Sequence, residues 1–257
     1  QAVYVIGTEV PVPGGAAEAL DHLRPTDPDA AGATLAVHRA LFTRTLGAEA
    51  WSRVIGLVVQ PGVEFGVEEV AIYDRPRARA LSATLGAMPG RIFEAHSTDY
   101  QPLPALRALV EDGFALLKVG PGLTFALREA LYGLDAIRSV LMPGQESLRE
   151  VMERVMLRDP SQWRGHYDGD ASKLALLRHY AYSDRIRYYW PRSEAAEAVE
   201  TLFGQLEETG LPDPLLSQYL PVQYERIRAG ALSRAPRAIV VAAVDEVLAL
   251  YDRACGA

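Results

Sequence analysis

The chain has 257 residues, of which 49% are hydrophobic, so it can bury a large core as one domain with or without a helical appendage. Its formal net charge of -7 argues against a nucleic-acid-binding protein, which normally carries a basic face. The single cysteine, Cys255, excludes a disulfide framework, and the longest apolar run, Ala238–Val244, is too short to cross a bilayer. We therefore expect a cytoplasmic protein with neither a nucleic-acid nor a membrane partner.

Strand–loop–helix units alternate along the first half of the chain. Buried strands are predicted at Val3–Gly7, Val54–Val59, the beginning of Arg91–Tyr100, and Phe114–Val119. Helices are predicted at Thr34–Leu46, Arg75–Leu85, Pro104–Glu111 and Thr124–Leu141, with an exposed loop at Asp21–Gly32. Near-continuously apolar strands that alternate with amphipathic helices indicate an α/β fold with a parallel sheet covered on both faces.

The second half is predicted to be mainly helical. Ser147-x-x-Glu150 has the capping-box pattern at the start of a helix, Ser147–Leu157. Ser193 can cap a second helix, Glu194–Glu208, and Pro236 can start a final helix that runs to about Ala254. Two aromatic segments, Tyr182–Pro191 and Leu216–Pro221, lie between these helices. The chain is therefore predicted to divide into an α/β region, residues 1–145, and a helical extension, residues 146–257.

A polar residue lies at the C-terminal end of each predicted strand. Side chains alternate along a strand, and on one face the four strands end in Glu9, Gln60, His96 and Lys118. The C-terminal ends of parallel strands are where α/β barrels and sheets carry their active sites. We expect the four side chains to meet in one site, although each alone also fits a structural role, such as a Lys118–Glu94 ion pair.

The residue types at these strand ends indicate several possible chemistries. Glu9 and His96 are suited to bind a divalent metal, zinc or manganese, although two ligands do not complete a site. Lys118 could instead form a Schiff base with a ketose carbonyl. Glu64 and Asp99, in the loops beyond the strands, are acid/base candidates or else ordinary solvated carboxylates. The predicted catalytic residues are Glu64, Asp99 and Lys118.

Substrate-binding residues are predicted in the same loops and in one aromatic segment. Gln60, Ser97, Thr98 and the Gly120-Pro-Gly122 turn follow strands, where a phosphate often binds in barrels. In the segment YSDRIRYYWP, Arg185 and Arg187 are suited to grip an anion. The alternatives are that the glycines serve only the turn and that the aromatic residues pack an interdomain contact.

Six segments together resemble the tagatose-bisphosphate aldolase accessory-subunit family: YVIGTEVPVPGG, VVQPGVEF, FEAHSTDYQ, LKVGPGLTFALREAL, YSDRIRYYWP and LLSQYLPVQYERI. The resemblance implies a (β/α)8 barrel similar to class II aldolases, of which this chain carries about the C-terminal half plus a helical extension. It also implies a sugar-phosphate substrate, a possible aldolase catalytic subunit as partner and a homo-oligomer. Family members have further strand–helix units, including an Asp-His pair, before the segment with which this chain begins.

The favoured hypothesis is a metal-site barrel protein of ketose-phosphate metabolism, similar to the accessory subunit of the D-tagatose-1,6-bisphosphate aldolase. The alternative is a metal-dependent ketose or ketose-phosphate 4-epimerase. Some family members are labelled tagatose 6-phosphate kinases, but the sequence has no Gly-x-x-x-x-Gly-Lys loop to support phosphoryl transfer.

Overall fold

The computed structural model describes residues 2–8 and 23–256. They divide into two compact units. Gln1–Gly120 together with Leu250–Ala257 form one, here called the sheet unit, and Pro121–Ala249 form the other, here called the helical unit. The predicted division into two domains, residues 1–145 and residues 146–257, stays a prediction. The structural units divide earlier, after Gly120, because the long helix that follows packs against later helices.

The sheet unit contains a parallel sheet of four strands and a short antiparallel hairpin. The strands are β1 Tyr4–Ile6, β2 Val54–Val59, β3 Glu64–Phe65, β4 Val70–Ala71, β5 Ile92–Ala95 and β6 Leu116–Leu117. In the parallel sheet the order is β1-β2-β5-β6, and β3 pairs with β4. The helices of this unit are α1 Pro28–Thr45, α2 Ala48–Ser52, α3 Arg75–Ala83 and α4 Leu103–Glu111. The predicted mixed α/β class with a parallel sheet is confirmed.

The helical unit contains no strand among its described residues. Its helices are α5 Pro121–Leu141, α6 Leu148–Arg158, α7 Ala171–Tyr180, α8 Ser193–Thr209, α9 Asp213–Tyr219 and α10 Pro221–Arg228. A last helix, α11 Pro236–Cys255, begins in this unit, and its residues from Leu250 onward belong to the sheet unit. In the part of the chain that the structure describes, no helix is both long and apolar enough to cross a membrane.

The strand register brings the C-terminal ends of β2, β5 and β6 side by side. Val58 of β2 pairs with Glu94 of β5, and Glu94 pairs in turn with Leu116 of β6. Because the strands are parallel, the residues that follow them emerge at one edge of the sheet. His96 and Lys118, which follow β5 and β6, are therefore neighbours although 22 positions separate them in the sequence.

A large apolar core fixes these strands. Leu57, Phe93 and Phe114 are at most 1% exposed, and the Phe93 and Phe114 rings lie 5.3 Å apart. Full burial of one such side chain contributes about 1.5–3 kcal/mol relative to leaving it in water. The strand ends, and the functional candidates on them, are therefore held by a rigid support.

The first helix begins inside the stretch that the sequence analysis predicted to be an exposed loop, Asp21–Gly32. The helix begins at Pro28, and the Asp27 side chain accepts a hydrogen bond from the Asp29 amide at 2.8 Å. Proline is favoured in the first turn and aspartate at the N-cap, so the composition that suggested a loop is a helix start. Residues 21–22 of the predicted loop lie outside the described residues.

Two other helix starts differ from the prediction, and one is confirmed. The Gly120-Pro-Gly122 turn is already the start of α5, because Pro121 takes a first-turn position. Ser193, predicted to be an N-cap, is instead the first residue of α8, and the N-cap residue, Arg192, makes no side-chain capping bond. The capping box of Ser147 and Glu150 is confirmed, with both reciprocal hydrogen bonds present.

Candidate functional site

Glu94 of β5 and His96, which directly follows this strand, form the centre of the candidate site in the sheet unit. His96 Nε2 and Glu94 Oε1 are 2.5 Å apart, and His96 is 8% exposed. The alternation of side chains along the strand places both residues on one face, as the sequence predicted. Lys118 Nζ lies 4.0 Å from the same Glu94 oxygen, but its side chain is 62% exposed. Lys118 is therefore a solvent-accessible cation rather than half of a buried ion pair.

Glu64 brings a second, more deeply buried carboxylate to the sheet unit. It lies on β3 of the hairpin that follows β2 and is 6% exposed. Its Oε1 accepts a hydrogen bond from the Phe65 amide at 3.0 Å, and the Ser97 hydroxyl donates to the same carboxylate. Burial raises the pKa of Glu64, the negative charge of Asp99 raises it further, and the two hydrogen bonds oppose the rise. A carboxyl that is buried and held by hydrogen bonds in this way keeps its proton more readily than an exposed one, which is the property of a general acid/base group.

The Ser97–Gln101 loop joins Glu64 to the end of β5. Ser97 has φ 53° and Tyr100 has φ 64°, a left-handed conformation that non-glycine residues adopt rarely and that is enriched at functional sites. The Tyr100 ring meets the Phe65 ring edge to face at 5.5 Å. The predicted substrate residue Ser97 thus contacts a predicted catalytic residue, Glu64, and the loop conformation is what places it there.

Thr98 and Asp99 of the same loop hold neighbouring backbone segments. The Thr98 hydroxyl donates to the Lys118 carbonyl at 2.9 Å, and the Tyr251 hydroxyl donates to the Thr98 carbonyl at 2.7 Å. Asp99, which is 2% exposed, accepts the Gly120 amide hydrogen at 2.9 Å. These contacts bring the predicted residues Thr98, Asp99 and Gly120 together. In this arrangement Thr98 and Asp99 position the loop and the turn after β6.

Gln60 lies at the end of β2, as predicted, but its side chain folds back on its own turn. Its Oε1 accepts the amide hydrogens of Gly62 at 2.8 Å and Val63 at 3.0 Å. Gly62 has φ 91°, which a residue with a side chain would adopt only with strain. Gln60 therefore shapes the turn that leads to Glu64.

The predicted metal ligands are only partly described. Glu9 lies outside the described residues. Within residues 2–8 and 23–256, no group of three or more His, Cys, Asp or Glu side chains could together hold a metal ion. His96 Nε2 is engaged by Glu94, so these residues do not make up a metal site by themselves.

Arg185 and Arg187 lie in the helical unit, in a short 3₁₀ helix. Arg185 Nε donates to the Gln162 carbonyl, and Arg187 Nη1 donates to the Asp184 carbonyl at 2.9 Å. Arg187 also reaches the Tyr188 hydroxyl at 2.8 Å. Backbone carbonyls therefore engage both guanidinium groups, and the segment YSDRIRYYWP is held in shape by its own arginines.

Three residues that are prominent in the structure were not predicted from the sequence to have a functional role. Gln101 is 2% exposed and links the Ser97–Gln101 loop to the hairpin that carries Glu64. Arg128 and Asp184 are buried charges in the helical unit. Asp184 stands inside YSDRIRYYWP, beside the two arginines that were named, so the motif already contained this signal. Nothing local marks Arg128, because an arginine on an amphipathic helix is usually exposed.

The chain is an α/β protein with a parallel sheet, and carboxylate, imidazole and ammonium groups lie at the C-terminal ends of its strands. This arrangement is typical of enzymes that act on small molecules. The family described as D-tagatose-1,6-bisphosphate aldolase subunit GatZ/KbaZ-like matches residues 1–256. The chain belongs to this family.

Two relatives are more specifically named. The chain is 52% identical over 256 residues to the D-tagatose 6-phosphate 4-epimerase of Agrobacterium fabrum, covering 99% of this chain and 60% of that protein. It is also similar to a crystal structure described as a probable tagatose 6 phosphate kinase from Sinorhizobium meliloti 1021. That likeness has a TM-score of 0.90 and 52% identity, and it covers 98% of this chain and 62% of the other. The chain thus spans about three fifths of the length of the relatives it matches.

Proposed function

We propose that this chain supplies part of an active site that acts on a tagatose-type ketose phosphate, and that the reaction is 4-epimerisation. The relative named as a D-tagatose 6-phosphate 4-epimerase supports the reaction type. The observation that carries the proposal is Glu64, a buried carboxyl with a raised pKa that lies in hydrogen-bonding reach of Ser97 and close to Asp99.

The chemistry requires a group that removes a proton from the C4 hydroxyl and later returns it. When this proton leaves, the C3–C4 bond breaks, C4 becomes an aldehyde, and the electron pair remains on C3 as an enediolate conjugated with the C2 carbonyl. Rotation of the aldehyde presents its opposite face, C3 attacks again, and the new C4 oxygen takes the proton back. A buried carboxyl such as Glu64 is suited to carry that proton in both directions.

The other residues of the sheet unit have supporting roles in this proposal. The exposed ammonium of Lys118 is available to the phosphate or to the developing enediolate oxygen. Glu94 holds the His96 ring at 2.5 Å, which orients the imidazole at the strand end. Asp99 positions the turn after β6 and raises the pKa of Glu64 through its charge.

A divalent metal, zinc or manganese, stays part of the proposal. If bound, it would polarise the sugar's carbonyl or diol oxygens. His96 is the described candidate ligand, and the second predicted ligand, Glu9, lies outside the described residues. The closed (β/α)8 barrel, of which this chain would carry the C-terminal half, belongs to the same proposal. Among the described residues, β1 and β6 each pair on one side only, which supports it. The cytoplasmic location and the homo-oligomer stay predictions.

The second candidate is a subunit that supports a separate aldolase, which the family description favours. An aldolase breaks the same C3–C4 bond but releases both fragments, so the two candidates differ in whether the fragments rejoin. The kinase description belongs to the solved relative. This sequence contributes no Gly-x-x-x-x-Gly-Lys loop in favour of it.

The test uses the full-length protein and D-tagatose 6-phosphate, with D-fructose 6-phosphate as the 4-epimer to be detected. An epimerase forms D-fructose 6-phosphate when it is alone, after treatment with either zinc or manganese. A supporting subunit forms none alone but raises the activity or the half-life of an added class II aldolase. Transfer of a phosphoryl group from ATP to tagatose 6-phosphate, with no epimer formed, would contradict both candidates.

A further inference from the structure

Arg128, on α5 of the helical unit, is a buried guanidinium held mainly by aromatic rings. The residue is 3% exposed, and its Cζ lies 4.1 Å from the ring centroid of Phe125, 5.4 Å from that of Tyr180 and 5.8 Å from that of Tyr132. Rings attract a cation through their negative faces, but they do not satisfy its N–H donors. Arg128 Nε is buried and has no hydrogen-bond partner.

The other buried arginines of this unit differ from Arg128 in one respect. Each places its guanidinium nitrogens on a protein oxygen: Arg138 on Asp135 at 2.6 Å, Arg178 on Glu153 at 2.8 Å, and Arg185 on the Gln162 carbonyl. A buried charge without such partners is costly, and proteins that retain one usually use it. Arg128 is therefore the exception that calls for a ligand.

Asp184 faces Arg128, and one of its two carboxyl oxygens lacks a hydrogen-bond partner. It is 2% exposed and has φ 44°, a left-handed conformation. Its Oδ2 accepts the Thr124 hydroxyl at 2.5 Å, whereas Oδ1 is buried without a hydrogen-bond partner. Arg128 Nε lies 3.9 Å from Oδ1, too far for a hydrogen bond. Arg128 Nε and Asp184 Oδ1 are thus two buried polar atoms, 3.9 Å apart, and neither has a hydrogen-bond partner.

The residues next to this pair are less buried than the pair itself. Thr124, which contacts Asp184, and Phe125, which stacks on Arg128, are both only partly buried. The Phe125 ring also stacks with the partly buried Tyr182 ring, at a centroid distance of 5.6 Å. The residues that surround the buried pair thus reach the protein surface in part.

We propose that Arg128 and Asp184 form a binding site for a small oxyanion, the phosphate or carboxylate group of a small organic molecule. The anion oxygen accepts a hydrogen bond from Arg128 Nε, and the Asp184 carboxyl, when protonated, donates from Oδ1 to the same group. The site lies wholly within the helical unit and uses none of the residues assigned to the epimerisation chemistry. The proposal therefore goes beyond the proposed function and does not depend on it.

The charge state of Asp184 is consistent with this arrangement. Burial raises the pKa of Asp184 to about 7, against the Thr124 hydrogen bond and the charges of Arg128 and Arg187. Glu129 on α5 raises it further, and Tyr167 also faces this carboxyl. Near neutral pH the carboxyl is thus protonated in a large fraction of molecules, and the charge of Arg128 is not fully neutralised. Binding of an anion should then take up a proton.

The experiment is a calorimetric titration of the full-length protein with sulfate, a tetrahedral anion that does not itself titrate near neutral pH, and separately with acetate. Sulfate binding alone indicates a phosphate-type ligand, and acetate binding alone a carboxylate. We expect Arg128→Met and Arg128→Lys each to weaken binding at least about tenfold, since lysine keeps the charge but lacks the Nε donor. Arg149→Met, an exposed arginine of the same unit, controls for the loss of one positive charge.

Two further readouts separate a ligand site from a merely structural arginine. Affinity of the wild type should fall between about pH 6 and about pH 8, and Asp184→Asn should keep its affinity over this range because the amide always donates. Without anion and at about pH 6, where the Asp184 carboxyl is mostly protonated, Arg128→Met should melt no lower than the wild type, because a buried charge whose Nε lacks a hydrogen-bond partner has been replaced by an apolar chain of similar length. The proposal is overturned if the wild type binds neither anion, if Arg128→Lys binds as well as the wild type, or if Arg128→Met melts well below it.

Discussion

Gln101 is expected to hold the hairpin that carries Glu64, and replacing it provides a direct test of how the site is built. Its side chain accepts the Tyr73 amide hydrogen at 2.9 Å and donates to the Ala71 carbonyl at 2.9 Å, while the residue itself is 2% exposed. Both partners are backbone groups at the end of the hairpin. Gln101→Ala removes the two bonds and leaves Tyr73 N–H and Ala71 C=O without a partner.

The expected loss follows from these two bonds. A hydrogen bond contributes about 0.5–1.5 kcal/mol net to stability, and a buried partner left without a hydrogen bond adds to the loss. We therefore expect the free energy of unfolding to fall by about 2–3 kcal/mol in total. Ala71 is partly exposed, which lets water satisfy its carbonyl and keeps the loss from rising further. For a chain of this size, the melting temperature should fall by roughly 4–12 °C.

Urea denaturation measures the loss in the free energy of global unfolding, and hydrogen exchange at the Tyr73 amide measures the local loss of stability. We expect the midpoint to fall and the amide of Tyr73 to exchange faster, with the other sheet amides changed less. Gln218→Ala, at an exposed position of α9, should change stability by no more than about 0.5 kcal/mol. Unchanged exchange at Tyr73 in Gln101→Ala would refute the role given to this side chain.

The structure also predicts the direction of the stability change for two glycine substitutions and for the titration of His179. Gly133→Ala should destabilise the protein by about 1–3 kcal/mol despite the better helix propensity of alanine, because a Cβ there would lie 2.7 Å from the Leu220 side chain. Gly204→Ala should stabilise the protein by about 0.5–1 kcal/mol, because no atom lies within 4 Å of a Cβ at that position. Thermal melts of the pair check this, and two equal shifts would contradict it. Burial lowers the pKa of His179 to about 4, so the unfolded chain takes up the proton first and stability falls as pH drops from about 6.5 to about 4. His179→Gln should reduce that fall by on the order of 3 kcal/mol, measured as urea midpoints across the range, and an unchanged slope would contradict it.

Apolar periodicity was sufficient to predict the sheet. Val54–Val59 is apolar at nearly every position, which is the pattern of a strand buried on both faces, and it is the strand between β1 and β5. The β3–β4 hairpin was not predicted, since its strands have two residues each and carry no measurable alternation. Glu64 was consequently placed in a loop, although it begins a strand.

The candidate site was predictable in its residue types but not in its contacts. Alternation along β5 placed Glu94 and His96 on one face, and the structure brings them to 2.5 Å. The contact between Ser97 and Glu64 depends on a positive φ at Ser97, which no sequence rule requires of serine. Arg128 was missed for a related reason, because its burial depends on helices that are distant in the sequence.

Replacement of Glu64 tests the central claim most directly. Glu64→Gln keeps the size of the side chain but cannot accept and return a proton, whereas Glu69→Gln changes an exposed carboxylate of the same hairpin. Turnover of D-tagatose 6-phosphate to D-fructose 6-phosphate by the full-length protein is the measurement. We expect kcat to fall by about 10²- to 10⁴-fold in Glu64→Gln and to stay within about twofold of the wild type in Glu69→Gln. A folded Glu64→Gln protein that turns over at the wild-type rate would contradict the account.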